Sequence, residues 1–460
     1  MTLIKSISGI RGTLGGRPGD NLTPPDVVKF TAAYGTWLKK RTSRRPLSVV
    51  IGRDARPSGP VIGALVTSTL TAMGIDVTDL GMATTPTVEI AVQGTKANGG
   101  IIITASHNPA QWNALKMLNE RGEFLSSSEG EELLEIASAG DFEFATGSNT
   151  GKITCDDSWG SRHIEMVADL SLVDREAIRK AGFKIVADCI NSVGGIVLPV
   201  LFEKLGVKEY ILINGNPDGK FAHNPEPLPE NLKEISGRVV MEKAHLGIVV
   251  DPDVDRLAIV CGDGSMFGEE YTLVAVADYV LSRTPGNTVS NMSSTRALRD
   301  ITEQHGGRHF ASPVGEINVI EEMKRRNAVI GGEGNGGIIY PALHYGRDAL
   351  AGIALFLTHL ALKKTSCETL RKSYPEYVIS KNKIEGITGF NRERIMKGAL
   401  KQFPSAHIDE RDGILVETPE WWIQVRPSNT EPVIRIYAEG RTSEEAEKLA
   451  AGMALIVKNA

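Results

Sequence analysis

The feature that most constrains the fold is an internal repeat. Three times the chain passes through an apolar strand pattern, a small-residue turn, a helix pattern, a second strand, a loop and a third strand. The first copy opens with Leu47-Ser-Val-Val-Ile51 and the turn Gly52-Arg-Asp54, continues through Ile75 to Leu80, and ends at Gly99-Gly-Ile-Ile-Ile-Thr104. The second opens with Phe183-Lys-Ile-Val-Ala-Asp188 and the turn Asn191 to Gly195, continues through Tyr210 to Ile213, and ends at Leu246-Gly-Ile-Val-Val250. The third opens at Thr288-Val-Ser290 with the turn Ser293-Ser-Thr295, continues at Arg308 to Ala311, and ends at Ala328-Val-Ile330. Strand runs alternating with helix patterns imply parallel βαβ units.

Ligands of such sheets gather at the carboxyl ends of the strands. Each third strand here runs into a polar loop: Ala105-Ser-His-Asn-Pro109, Asp251-Pro-Asp-Val-Asp-Arg256, and Gly332-Glu-Gly-Asn-Gly-Gly337. Three equivalent positions thus carry three chemistries, as expected of three similar domains facing one cleft. From about Leu370 the pattern changes to an alternating run, Trp421-Trp-Ile-Gln-Val425, then Arg426-Pro-Ser-Asn-Thr-Glu-Pro432, a second strand Val433 to Tyr437, and a terminal helix Ser443 to Val457. The expected fold is α/β: three repeated mixed-sheet domains and a C-terminal α+β domain around a central cleft. A length of 460 residues accommodates four domains. We place them at 1–150, 151–256, 257–367 and 368–460.

Composition removes several classes. The net charge is −5 and Lys and Arg are scattered, so the basic stripe of a nucleic-acid binder is missing. The four cysteines, Cys155, Cys189, Cys261 and Cys367, form no CxxC pair, which argues against zinc and disulfides and fits a reducing cytoplasm. Met1-Thr-Leu-Ile-Lys5 opens on no apolar run of signal-peptide length. The longest apolar stretch, Ala349 to Leu362, falls short of the ~20 residues of a membrane span and reads as a buried core helix.

The loops carry the chemistry. A strand-end serine such as Ser106 can be a nucleophile when a base or metal activates it, though alone it is more often a cap or turn residue. The support comes from Asp251, Asp253 and Asp255. Three carboxylates at alternate positions after a buried strand are costly unless a cation neutralises them, and hard oxygen ligands suit Mg²⁺ or Ca²⁺. An EF-hand is excluded, because its sixth and twelfth positions are Arg256 and Gly262. A carboxylate-held Mg²⁺ with room for a phosphate oxygen is a phosphoryl-transfer arrangement. Gly332 to Gly337 matches Gly-x-Gly-x-x-Gly, yet Ile338-Ile-Tyr-Pro341 follows instead of a helix, so Glu333 and Asn335 read as hydroxyl-binding groups. Arg426, Ser428, Asn429 and Thr430, with Arg435 on the next strand, supply a fixed cation and short donors suited to a phosphate dianion.

These motifs together resemble the α-D-phosphohexomutase superfamily over nearly the whole chain. The resemblance rests on Ser8-Gly-Ile-Arg-Gly12, Thr104-Ala-Ser-His-Asn-Pro109, Asp251-Pro-Asp-Val-Asp-Arg256, the Gly332-Glu333 loop, and Arg426-Pro-Ser-Asn-Thr-Glu-Pro432, in that order. It implies a phosphoserine at Ser106 with His107 beside it, and one Mg²⁺ held by the three aspartates and the serine. It further implies acid–base work for Lys116, an active-site arginine at Arg11, and substrate contacts from Arg256, Glu333, Asn335, the Arg426 loop and Arg435. The implied reaction moves phosphate between C6 and C1 of a hexose through a 1,6-bisphosphate, which also serves as activator. The partner implied is a small-molecule sugar phosphate, not nucleic acid or membrane, and the enzyme a monomer or homodimer.

Two departures bear on the substrate. Many members have glycine between the first two metal aspartates, where this chain has Pro252, with Val254 between the second and third and the metal ligands intact. Many members also carry Ser-Gly-His or Ser-Ala-His in the sugar-selecting loop, where this chain has Asn335-Gly-Gly337 and so lacks a histidine proposed as base. The Gly-Asn-Gly-Gly form resembles archaeal-type phosphoglucosamine mutases and phosphomannomutase-like relatives. The expectation is therefore glucosamine phosphate. The rivals are a phosphomannomutase/phosphoglucomutase and a non-catalytic sugar-phosphate-binding protein.

Overall fold

The computed structural model describes residues 2–6, 9–43, 46–385, 389–427 and 433–460. It divides into two units, Met1–Thr272 with Asn335–Leu370, and Leu273–Gly334 with Arg371–Ala460.

In the first unit the first repeat has strands Leu47–Arg53, Ile75–Met82 and Gly99–Ile103, with helices Gly59–Ala72 and Thr85–Thr95 between them. The second has strands Lys184–Asp188, Glu209–Ile213 and Leu246–Val250, with helices Gly194–Leu205 and Lys233–Met241. In both copies the first strand pairs in parallel with the second on one side and the third on the other. Both third strands are buried along their whole length, as the continuous apolar runs dictate for a sheet covered on two faces. Side chains alternate faces accordingly: Val49, Ile51, Ile101 and Ile103 pack with Tyr34 and Trp37, whereas Val50 and Ile102 pack with Val88 and Leu118.

After each polar loop the chain turns back as an antiparallel strand, Trp112–Leu118 in the first copy and Leu257–Cys261 in the second. The repeat pattern did not include this strand, and it matters, because it carries Lys116 to the third strand's side at the register Ile102↔Lys116. An N-terminal hairpin, Ile4–Ser6 and Gly9–Thr13, extends the same edge and places Arg11 opposite Ala114. Helix Ala349–Lys363 is buried over most of its length, as the apolar run predicted.

The second unit holds the third repeat, strands Asn287–Asn291, His309–Ser312 and Ala328–Glu333, all parallel neighbours of the first of them. It also holds an antiparallel five-stranded sheet ordered Val378–Glu385, Val433–Gly440, Trp422–Pro427, Ile414–Glu417, His407–Asp409. Helices Arg392–Gln402 and Ser443–Lys458 cover one face through Ile395, Ala399, Ala450 and Met453 against Ile423, Val425 and Ile436. Buried Glu439 ties the two parts: it accepts from Trp422 Nε1 at 2.8 Å and from the Arg296 backbone at 3.1 Å. Among the described residues no helix is long and apolar enough to cross a membrane.

Candidate active site

Ser106 stands three residues beyond its strand in the left-handed region, φ 48°. For a non-glycine residue this backbone costs on the order of 1–3 kcal/mol and persists only where the surroundings hold it. The holder is Arg56, a fully buried guanidinium. It donates through Nη2 to the carbonyls of Ser106 and Asn108, through Nη1 to those of Pro109 and Trp112, and through Nε to Asp54 Oδ2 at 2.9 Å. Thr104 Oγ1 donates to the same Asp54 oxygen at 2.7 Å and accepts from Ser106 N at 2.9 Å. The loop is thus fixed from below by an ion pair.

The acidic loop closes on itself. Asp251 Oδ1 accepts from the backbone N–H groups of Asp255 and Arg256 at 3.1 and 3.2 Å. Val254, fully buried, takes φ 59°, a strained conformation for a β-branched residue. The turn brings ligand atoms of Asp251, Asp253 and Asp255 within 4.8 Å of one another, with all three residues buried. Ser106 Oγ donates to Asp251 Oδ2 at 2.8 Å, so the serine and the carboxylates form one cluster.

The other two aspartates share an arrangement. Asp253 Oδ2 accepts from Lys116 Nζ at 2.8 Å and Thr85 Oγ1 at 2.6 Å, and Asp255 Oδ2 accepts from Arg347 Nη2 at 2.6 Å. The remaining oxygens, Asp253 Oδ1 and Asp255 Oδ1, are buried and have no hydrogen-bond partner among the described residues. Two orphaned carboxylate oxygens beside a third carboxylate suit a hard divalent cation, and Mg²⁺ fits this donor set. Burial and the neighbouring Asp255 and Asp253 push the Asp251 pKa well above the usual carboxylate range. Burial would raise Asp253 too, but Lys116 outweighs it and holds Asp253 below that range. Lys116 is raised in turn: burial opposes its charge, and Asp253 and Asp255 overcome it.

His107 Nδ1 lies 3.3 Å from Ser106 Oγ. Burial, then the charges of Arg256, Arg11 and Arg347, hold its pKa well below the ordinary value, so the imidazole is neutral. Arg11 Nη1 reaches Asn108 Oδ1 at 3.4 Å, and Arg256 Nε is 4.0 Å from Asp255 Oδ1. Three arginines around the serine make a place for an anion. Asn335 also belongs to this unit. Its Oδ1 accepts from Gly337 N at 3.1 Å, and Leu257 N donates to Gly336 O at 3.1 Å, tying the glycine loop to the strand that follows the aspartates. Gly336 has φ 83°, and a Cβ there would sit 2.2 Å from Leu257 O.

The structure therefore brings together Ser106, His107, Lys116, Arg11, Asp251, Asp253, Asp255, Arg256 and Asn335. In the second unit Glu333 Oε1 accepts from Asn291 Nδ2 at 2.9 Å and Gly315 N at 3.3 Å. There Arg426 and Arg435 stand directly opposite on paired strands, a like-charge pair that an anion would relieve. Ser8, Ser428, Asn429 and Thr430 lie outside the described residues. Asp54, Arg56, Thr85 and Arg347 were not found by motif reasoning. The turn Gly52-Arg-Asp54 was the sole trace of the first pair, and nothing local marks Thr85 or Arg347.

Four successive domains of phosphoglucomutase/phosphomannomutase have family models that match this chain: the α/β/α domains I, II and III over residues 3–144, 161–264 and 268–377, and the C-terminal domain over 397–456. The chain belongs to this family of phosphohexomutases. It is 34% identical to a Thermococcus kodakarensis protein named phosphoglucomutase/phosphomannomutase, over 97% of this chain and 98% of that one. It is 31% identical to a Sulfurisphaera tokodaii phosphoglucosamine/phosphogalactosamine mutase, over 98% of each. Among solved structures, a phosphoglucomutase/phosphomannomutase family protein of Burkholderia thailandensis superposes with a TM-score of 0.85 at 26% identity, over 99% of this chain and 97% of that one.

Proposed function

We propose that this phosphohexomutase interconverts glucosamine 6-phosphate and glucosamine 1-phosphate through a phosphorylated Ser106. The observation that carries the reading is the 2.8 Å bond from Ser106 Oγ into the buried aspartate cluster. The Sulfurisphaera relative's name supports the amino sugar. The Thermococcus relative's name supports the alternative, a neutral-sugar phosphoglucomutase/phosphomannomutase.

In the forward half-reaction the bond between phosphorus and Ser106 Oγ breaks and a bond from phosphorus to the free sugar hydroxyl forms. Lys116, kept cationic, is in the state to give a proton to the departing Ser106 oxygen, and neutral His107 is in the state to take the proton that the sugar hydroxyl loses. In the return half-reaction, the same step run backwards, Ser106 Oγ–H attacks the other phosphoryl group of the 1,6-bisphosphate and gives its proton back to Lys116, while the proton held by His107 returns to the departing sugar oxygen. Asp251, Asp253 and Asp255 would hold one Mg²⁺, which supplies charge neutralisation at the transferred group. Arg11 and Arg256 bind its oxygens, while Glu333 and Asn335 read sugar hydroxyls. Arg426, Ser428, Asn429, Thr430 and Arg435 hold the phosphate that is not reacting. The roles divide among domains at 1–150 (phosphoserine), 151–256 (metal), 257–367 (sugar) and 368–460 (distal phosphate), a division that the order of the four family matches supports. Four free cysteines fit a cytoplasmic enzyme, working as monomer or homodimer with a hexose 1,6-bisphosphate as activator.

The test is turnover of glucosamine 6-phosphate against mannose 6-phosphate and glucose 6-phosphate, with Mg²⁺ and a trace of sugar bisphosphate. Preference for the amino sugar is expected. Preference for either neutral sugar replaces it with the alternative, and no turnover of any overturns the mutase reading.

A further inference from the structure

The third cation at the aspartate cluster has a setting of its own. Arg347 donates to Asp255 Oδ2 at 2.6 Å, and its side chain is 9% exposed. Its backbone is clamped on both sides. Residue 347 bridges Ile339. The next residue, Asp348, donates its N–H to Ile338 O at 2.8 Å and accepts at Oδ1 from Leu350 N and Ala351 N, capping the buried helix Ala349–Lys363. Asp348 Oδ2 is gripped by His163 Nε2 at 2.8 Å and His344 Nε2 at 3.2 Å. Ala349 N reaches back to the carbonyl of Val254, inside the acidic loop itself, at 3.3 Å. The base of the arginine is thus fixed relative to the aspartate that it touches.

Its stem crosses Gly337. A Cβ built on that glycine would lie 2.3 Å from Arg347 Cδ and 3.0 Å from its Cγ, with Asn335 Oδ1 at 3.1 Å. No left-handed φ is found at Gly337, so its backbone would accept alanine. What excludes a side chain is the middle of Arg347, which cannot yield without swinging the guanidinium off Asp255.

We propose that Arg347 is the positioning residue for Asp255 at the metal centre, and that residue 337 is glycine in order to admit it. The inference rests on the reading of the three aspartates as a metal site. By occupying Oδ2, the guanidinium turns Oδ1 towards the shared centre, as Lys116 and Thr85 do for Asp253. Outer partners of this kind set ligand orientation, and their loss weakens metal binding roughly tenfold to a hundredfold. A bystander cation would act oppositely, because removing its charge would strengthen the attraction for a divalent ion.

The experiment titrates the intact protein with Mn²⁺, read by electron paramagnetic resonance, and with Mg²⁺ by calorimetry. It compares Arg347→Gln, Gly337→Ala, the double variant and Asp253→Asn. We expect roughly tenfold or greater weakening in each of the first two. Gly337→Ala should add less than about twofold in the Arg347→Gln background, since the contact it disrupts is already gone. Gly337→Ala keeps every charge and ligand, so its effect reads position alone. Unchanged or tighter binding in Arg347→Gln, or fully additive losses in the double variant, overturns the proposal. Unweakened binding in Asp253→Asn would instead refute the metal site itself.

Discussion

Arg56→Lys separates the geometry of the serine loop from its charge. The guanidinium makes five hydrogen bonds, to Asp54 and to the carbonyls of Ser106, Asn108, Pro109 and Trp112. An ammonium has three donors at one point and cannot span these acceptors, so at least two bonds are lost. Hydrogen bonds to a charged group are worth about 1.5–3 kcal/mol each, which puts the loss near 3 kcal/mol or above. That is comparable to the cost of holding Ser106 in its left-handed conformation, so the loop should relax. A displacement of about 1 Å at a reacting atom costs on the order of a hundredfold in rate. The assay pairs urea unfolding with hexose-phosphate turnover and phosphoryl transfer to Ser106. We expect a lower urea midpoint and turnover down by roughly a hundredfold, with the charge balance around Asp54 preserved. Near-normal turnover in Arg56→Lys would refute the view that the arginine fork sets the serine.

Further outcomes follow from the same contacts. Ser106→Ala should abolish turnover yet change stability by only about 1 kcal/mol, since one hydrogen bond to Asp251 is lost; residual normal activity would remove the phosphoserine. Asp253→Asn should leave Lys116 without its near partner, 3.9 Å from Asp255, and destabilise by about 3 kcal/mol, which a thermal melt with and without Mg²⁺ would show. Burial alone would lower the His344 pKa, but bonds to Asp348 and Glu89 raise it from 6.5 to about 10. A group raised on folding stabilises fully below its unfolded pKa and loses that contribution as pH climbs to the folded one. Stability of the intact protein should therefore fall between pH 7 and 10, and His344→Gln should flatten the fall. Parallel slopes in urea midpoints would exclude this assignment.

Much of the fold was legible because parallel strands buried on both faces write unbroken apolar runs, as Gly99–Ile103 and Leu246–Val250 do. The polar loops that follow them announced Ser106 and the three aspartates. The turn-back strand was less visible, because Trp112–Leu118 mixes Asn113 and Lys116 into a buried inner strand without regular alternation. Lys116 was thus reached by resemblance alone, and its pairing with Asp253 appears only when two domains meet in the first unit. Thr85 and Arg347 lie 168 and 92 residues from the aspartates they hold. Arg56 acts on main-chain carbonyls, which leave no side-chain motif to read.

The central claim is that Ser106 carries the phosphoryl group during turnover. Incubation with glucose 1,6-bisphosphate and Mg²⁺, followed by intact mass and peptide mapping, addresses it directly. The account predicts one phosphoryl group per chain, located on Ser106, missing in Ser106→Ala and strongly reduced in Asp253→Asn. A phosphoryl group on another residue, or turnover without any phosphorylated chain, would contradict it.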